Sequence, residues 1–161
     1  MDFPVRRVVT GHDKNGKAVV LIDEVPDNVI SRRPGQKSCV IWTTEGFPVN
    51  NDGGKEADVA RDQFTTTLPN GTVFRVNRLE PGVSPRNHRT DSIDYAIVMS
   101  GECDMELDDG VKVHLKAGDV LVQRGTIHNW QNNGTEPCMI AFILIDAKPV
   151  EAGGKTLAAT G

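Results

Sequence analysis

The sequence predicts an all-β domain, a sandwich or barrel of short antiparallel strands. Three observations carry that prediction. Apolar and polar residues alternate with a period of two over several runs, as in Glu102 to Leu107. Turn signals such as Asn15-Gly16, Asn70-Gly71 and Asp109-Gly110 recur at short spacing. No window beyond about ten residues shows a helical period with caps. At 161 residues the chain makes one domain with room for a closed core.

Composition narrows the function classes. The net charge is −4 with basic and acidic residues mixed, and no Lys/Arg run is long enough for a nucleic-acid or membrane patch. The apolar run Met139 to Ile145 is too short to cross a bilayer, and Met1 to Arg7 lacks the apolar stretch of a secretion signal. Three cysteines, Cys39, Cys103 and Cys138, stand far apart without paired spacing, the pattern of reduced thiols in a cytoplasm. A soluble cytoplasmic protein with neither nucleic-acid nor membrane partners is expected.

Along the chain, Val5 to Thr10 and Lys17 to Glu24 are β-rich runs flanking the Asn15-Gly16 turn. Val25 to Gln36 is rich in Pro, Asp, Asn and Gly and reads as an irregular crossing. A short strand, Cys39 to Thr44, precedes the polar segment Glu45 to Asp62, which reads equally as a mobile loop or a lid. Strands then follow over Thr72 to Glu80, Tyr95 to Met99, Glu102 to Leu107, Val111 to Leu115, Val120 to Val122, His128 to Gln131 and Cys138 to Ile145. The expected layout is a hairpin arm and crossing over 1–36, a barrel over 37–146 and a flexible tail over 147–161.

Two spacings hold the candidate chemistry. Gly82 is followed by His88, Thr90, Asp94 and Gly101, and Gly118-Asp119 is followed by His128 and Asn132. The first series resembles the first cupin motif (glycine, His-x-His, glutamate, glycine), and the second resembles the second cupin motif. The resemblance runs from Thr72 to Ile145 and implies a single-domain jelly-roll β-barrel, the double-stranded β-helix. The chain departs from the family pattern at four points. Thr90 replaces the second histidine, Asp94 replaces the glutamate, the second motif is one residue short, and its proline is absent. His88-Arg89-Thr90, Asp94-Tyr95 and Gln123-Arg124-Gly125-Thr126 are similar to a subgroup of small bacterial and fungal cupins, some described as decarboxylases in polyketide pathways.

That resemblance implies His88, Asp94 and His128 as catalytic residues and as ligands of a divalent first-row metal, iron, manganese, nickel or zinc. The residues also admit a metal-free barrel, with both histidines hydrogen-bonded to Asp94 and Thr90. Thr90 shares a face with His88 by two-residue periodicity, and Trp130 shares one with His128. Arg75 either faces a substrate carboxylate in the barrel mouth or lies on a solvated outer face. Tyr95, Met105 and Phe142 can complete an apolar wall or simply pack the core, while His12 and His114 read as solvent-facing. Substrate contacts are therefore expected at Arg75, Thr90, Tyr95 and Trp130.

Three functions follow. The leading one is a carboxy-lyase acting on a hydroxylated aromatic, polyketide-like or β-keto acid. There a metal, or a histidine acting as general acid with Asp94 orienting it, would serve the developing carbanion. An iron-dependent dioxygenase and a non-catalytic binding barrel are the alternatives. Family analogy further implies a homodimer through the N-terminal strands and a small-molecule substrate.

Overall fold

A computed structural model describes residues 3–58 and 66–161. Thirteen strands follow in order: β1 Arg7–His12, β2 Ala18–Glu24, β3 Val29–Arg33, β4 Gln36–Thr44, β5 Thr72–Leu79, β6 Ser92–Ser100, β7 Glu102–Glu106, β8 Lys112–Lys116, β9 Val120–Arg124, β10 Asn129–Gln131, β11 Cys138–Asp146, β12 Val150–Ala152 and β13 Lys155–Leu157. Among the described residues the only helices are single 3-10 turns at Lys55–Ala57 and Asp108–Gly110. The fold is an all-β jelly-roll barrel. A six-stranded sheet, β3-β4-β5-β11-β6-β9, faces a three-stranded sheet, β10-β7-β8, and every pairing is antiparallel.

Alternation decides what enters the barrel. On β11, Cys138, Ile140, Phe142 and Leu144 turn inward and join Val73, Leu79, Val98, Cys103, Met105, Leu115 and Trp130 in one core cluster. On the outer face Met139 and Ala141 instead meet Cys39, Ile41 and Val76, and Phe3 and Val5 from the N-terminal arm cover them. Arg7 fastens that arm: its Nη1 donates to the Ile41 carbonyl at 3.0 Å, and its Nη2 pairs with Asp58 at 2.8 Å. Gly101 marks where chain crossings touch. It adopts φ 71°, and a Cβ there would lie 2.4 Å from the Pro137 carbonyl oxygen, so only glycine closes the turn between β6 and β7.

Two stretches differ from expectation. The Val25 to Gln36 crossing contains β3, whose Val29 and Ile30 pair with Cys39 and Ser38 of β4. Partnering at a sheet edge overrides the local turn-like composition. The residues expected to form a flexible tail build the β12–β13 hairpin, after which Thr160 forms a β-bridge with Arg89 through bonds of 2.9 and 3.0 Å. Small residues bury little area, yet backbone pairing and the Arg86 bond to the Gly161 carbonyl fix this segment against the barrel rim. Of the possible lid, Glu45 to Asp62, residues 59–62 lie outside the described residues.

Candidate functional site

Backbone pairing creates the centre of the site. His88 and His128 form an isolated antiparallel bridge, each N–H donating to the other's carbonyl at 3.0 and 2.9 Å. Residues directly opposite in an antiparallel pair project to the same face. The two imidazoles therefore meet inside the barrel, with ring centroids 4.2 Å apart and planes at 52°. Trp130 continues the row edge-on to His128 at 6.2 Å, and Phe142 lies edge-on to Trp130 at 5.3 Å.

Hydrogen bonds fix both tautomers. His88 Nδ1 lies 3.1 Å from the Arg86 carbonyl oxygen, and His128 Nδ1 lies 2.9 Å from that of Thr126. A carbonyl only accepts, so each Nδ1 carries the proton and each neutral ring keeps its lone pair on Nε2. Burial, together with the charge of neighbouring His128, pushes the His88 value down to about 4, and burial likewise lowers His128. Both rings are thus neutral at pH 7. This corrects one expectation: neither ring bonds Asp94 or Thr90.

Asp94 belongs to a different set. Thr90 Oγ1 and Ser92 Oγ lie 2.8 Å apart, and Ser92 Oγ donates to Asp94 Oδ1 at 2.6 Å. Burial raises the Asp94 value, opposed by the Ser92 bond and by the charge of Arg75. Arg75 is 8% exposed and turns inward, and its Nε has no hydrogen-bond partner among the described residues. Burial lowers its value to about 10, with Asp94 acting in the opposite direction, so it stays cationic at neutral pH.

Arg75, His88, Thr90, Asp94, His128 and Trp130 line a cavity of about 520 Å³ together with Arg33, Gln36, Arg86, Leu79 and Leu144. The volume falls in the range of ordinary small-molecule sites. Of the residues expected to contact substrate, Arg75, Thr90 and Trp130 line it. Tyr95 does not. It is 43% exposed on the outer face of β6 opposite Val122, because Asp94 one position earlier takes the inward phase. Met105 and Phe142 are buried in the core, with Phe142 also at the cavity wall. His114 points outward as expected, with Nδ1 2.8 Å from Asp104 Oδ1.

Sequence reasoning missed Arg33, Arg86 and Ser92. Two-residue parity was the available signal for two of them, since Arg86, His88, Thr90, Ser92 and Asp94 form one alternating series. Arg33 gave none, because its place depends on β3 pairing with β4.

Comparison with known proteins identifies the family. Residues 75–145 match the model of the cupin domain. The chain is 37% identical to phomopsin biosynthesis cluster protein D of Diaporthe leptostromiformis, over 94% of this chain and 83% of that protein. It is 36% identical to the cupin-domain-containing oxidoreductase fogC of Aspergillus ruber, over 95% of this chain and 78% of the relative. The chain is a cupin. It is likewise 33% identical to the cupin-domain-containing oxidoreductase virC of Hypocrea virens, over 89% of this chain and 77% of that one.

Many cupins carry a divalent metal, and the donor set here tests for one. The two imidazole rings meet, but Asp94 accepts from Ser92, and among the described residues no group of three His, Cys, Asp or Glu side chains comes together to hold an ion. Thr90, in the position of the missing imidazole, bonds Ser92 instead. The set His88, Asp94 and His128 expected as metal ligands is therefore not assembled in this cupin. The residues present leave a first-row ion short of protein ligands.

Proposed function

We propose that this cupin is an enzyme acting on a small organic acid. Arg75 receives the substrate carboxylate, and the His88–His128 pair takes a proton from an acidic C–H or phenolic O–H. The carrying observation is the pair of fixed tautomers: two buried neutral imidazoles with free Nε2 lone pairs line one cavity with a buried guanidinium whose Nε has no partner among the described residues. Charge-assisted bonding to Arg75 would orient the acid, and the apolar wall of Trp130, Phe142 and Leu144 would strengthen that interaction by excluding water. As negative charge develops on the deprotonated substrate, the guanidinium field stabilises it. The proton moves to Nε2, where either ring can accept it while its Nδ1–H stays on the backbone carbonyl.

From there the proton held at Nε2 can pass to the carbanion left by loss of carbon dioxide, or the deprotonated substrate can give two electrons to dioxygen. The preference for a carboxy-lyase expected from the sequence gains no support from the relatives, several of which are named oxidoreductases. Those names favour oxidation as the second reading. The test incubates the protein in deuterated buffer with β-keto acids and hydroxylated aromatic acids, following substrate proton exchange by NMR with parallel carbon dioxide and oxygen measurements. Exchange that disappears in His128→Ala supports the base assignment. Release of carbon dioxide marks a lyase, and oxygen uptake marks an oxidoreductase. Bound acids that neither exchange nor react would mark a binding barrel and overturn the proposal.

A further inference from the structure

The cavity carries more positive charge than one carboxylate needs. Arg33, Arg75 and Arg86 line it, and among the described residues Asp94 is the only acidic side chain that does. This occurs in a chain whose overall charge is −4, so the concentration is local to the cavity. Asp94 acts on Arg75, whereas Arg33 feels the like charge of Arg86. Arg33 Nη1 is buried with no hydrogen-bond partner among the described residues, the same condition as Arg75 Nε in the cavity's deeper part. Both guanidiniums reach the cavity wall incompletely paired by the described residues, so acidic groups of a ligand would complete their pairing.

The mouth cations are also held in place. Arg86 Nη2 donates to the Gly161 carbonyl oxygen at 2.9 Å, and the Arg86 N–H donates to Asn129 Oδ1 at 2.9 Å. Arg33 ends β3 at a turn tied to the neighbouring loop, where Ser84 N–H donates to the Pro34 carbonyl at 3.0 Å and Glu80 N–H donates to that of Gly35 at 2.8 Å. Solvated arginines that merely steer an anion toward a mouth need no such anchoring. Anchored guanidiniums with an open donor fit a fixed acidic group.

We infer that the cavity takes a small dicarboxylate, one carboxylate on Arg75 at depth and the second on Arg33 and Arg86 at the mouth, between them the His88–His128 pair. This rests on the organic-acid reading above and adds the second acidic group. It places the reacting carbon between two cations, so an enolate formed there gains from both.

Calorimetric titration at fixed ionic strength tests it, with succinate, glutarate and phthalate set against butyrate, valerate and benzoate. Each dicarboxylate is expected to bind at least about tenfold tighter than its monocarboxylate counterpart. Arg33→Gln and Arg86→Gln, separately, should pull the dicarboxylates toward the monocarboxylate level while changing monocarboxylate binding less than about twofold. Arg75→Gln should weaken both sets. Near-ultraviolet circular dichroism of each variant confirms that the barrel is folded, and two independent mouth variants keep the test decisive if one is not. Equal binding of mono- and dicarboxylates would overturn the second subsite and leave the organic-acid reading standing. Failure of every carboxylate to bind would overturn that reading and this inference with it.

Discussion

The two halves of the barrel interior use the same strands and the same inward phase for opposite ends. On β6 the inward series begins with Ser92 and Asp94 and finishes with Ala96 and Val98, all at most 5% exposed. Around Val98 the half is filled by Cys103, Leu115, Cys138 and Ile140, and it has the composition of an ordinary core. Around Asp94 it holds Arg75, His88, Thr90 and His128, with space left open between them. The packed half buries apolar area, at roughly 25 cal/mol per Å². The cavity half buries imidazoles and a guanidinium with a donor unmatched among the described residues, which opposes folding. Stability and chemistry are thus separated along single strands, and substitutions should separate them too.

The largest contrast is expected from His128→Ala. Losing a positioned base removes about 10²–10⁴-fold of rate in proton exchange, while denaturant unfolding should show stability equal to or above that of the parent. The Ile140→Ala variant should do the reverse. Ile140 is 0% exposed in the packed half, and truncating such a side chain costs about 2–5 kcal/mol. Exchange per folded molecule should stay unchanged. A His128→Ala variant that unfolds like Ile140→Ala would show that the histidines serve as core and would break the comparison.

A gain of function is the next sharpest test. Thr90 stands two residues from His88 on the inward face and lines the cavity. Thr90→His therefore offers a third imidazole where the wider family has one. The parent, with two converging imidazoles, should lose added zinc or nickel on dialysis, whereas the variant should retain close to one ion per chain by elemental analysis. Tight, stoichiometric metal in the parent would mean that a further ligand completes its site.

Acid should expose the cost of the cavity half. The His88 value falls from the ordinary 6.5 to about 4 on folding. Between those pH values the unfolded chain binds a proton that the folded chain refuses, so stability is full above 6.5 and is lost as pH falls toward 4. Asp94, whose value is raised, works oppositely: its contribution declines as pH climbs through its folded value. Unfolding free energies of His88→Gln should accordingly slope less than the parent's over this acid range. An unchanged slope would assign the acid sensitivity elsewhere. Proton exchange should share the depression, its acid limb lying below the range of a free imidazole.

How far the sequence could be read follows the same division. Alternation and turn residues are local, so the strands and the inward phase of Thr90 and Trp130 were legible, and motif spacing brought His88 together with His128. The inward phase of Arg75 was open, because either face of its strand satisfied the pattern. What Asp94 touches was not legible either: Ser92 lies two residues away on the same strand and captures it, a side-chain choice that spacing does not encode. Tyr95 was misplaced because proximity to a motif is weaker than parity. The segment after Asp146 was misjudged because small residues give no burial signal, while its fixation comes from backbone pairing across more than sixty positions of chain, Arg89 with Thr160.

That last segment yields the smallest expected effect and a specific one. Gly161 adopts φ 92°, and a Cβ there would lie 2.5 Å from the Asn87 carbonyl oxygen and 2.8 Å from His88 Cβ. Its carbonyl also holds Arg86, whose own carbonyl receives the His88 Nδ1 proton. Gly161→Ala must therefore move the segment away from the rim or displace His88, at a cost of about 1 kcal/mol or less if the segment yields. Imidazole resonances distinguish the two responses. A shift confined to Arg86 and Gly161 neighbours means the segment lifts off. A His88 shift larger than that of His128 means that the rim segment helps set the imidazole pair, tying the hairpin beyond β11 to the cavity half rather than to the core.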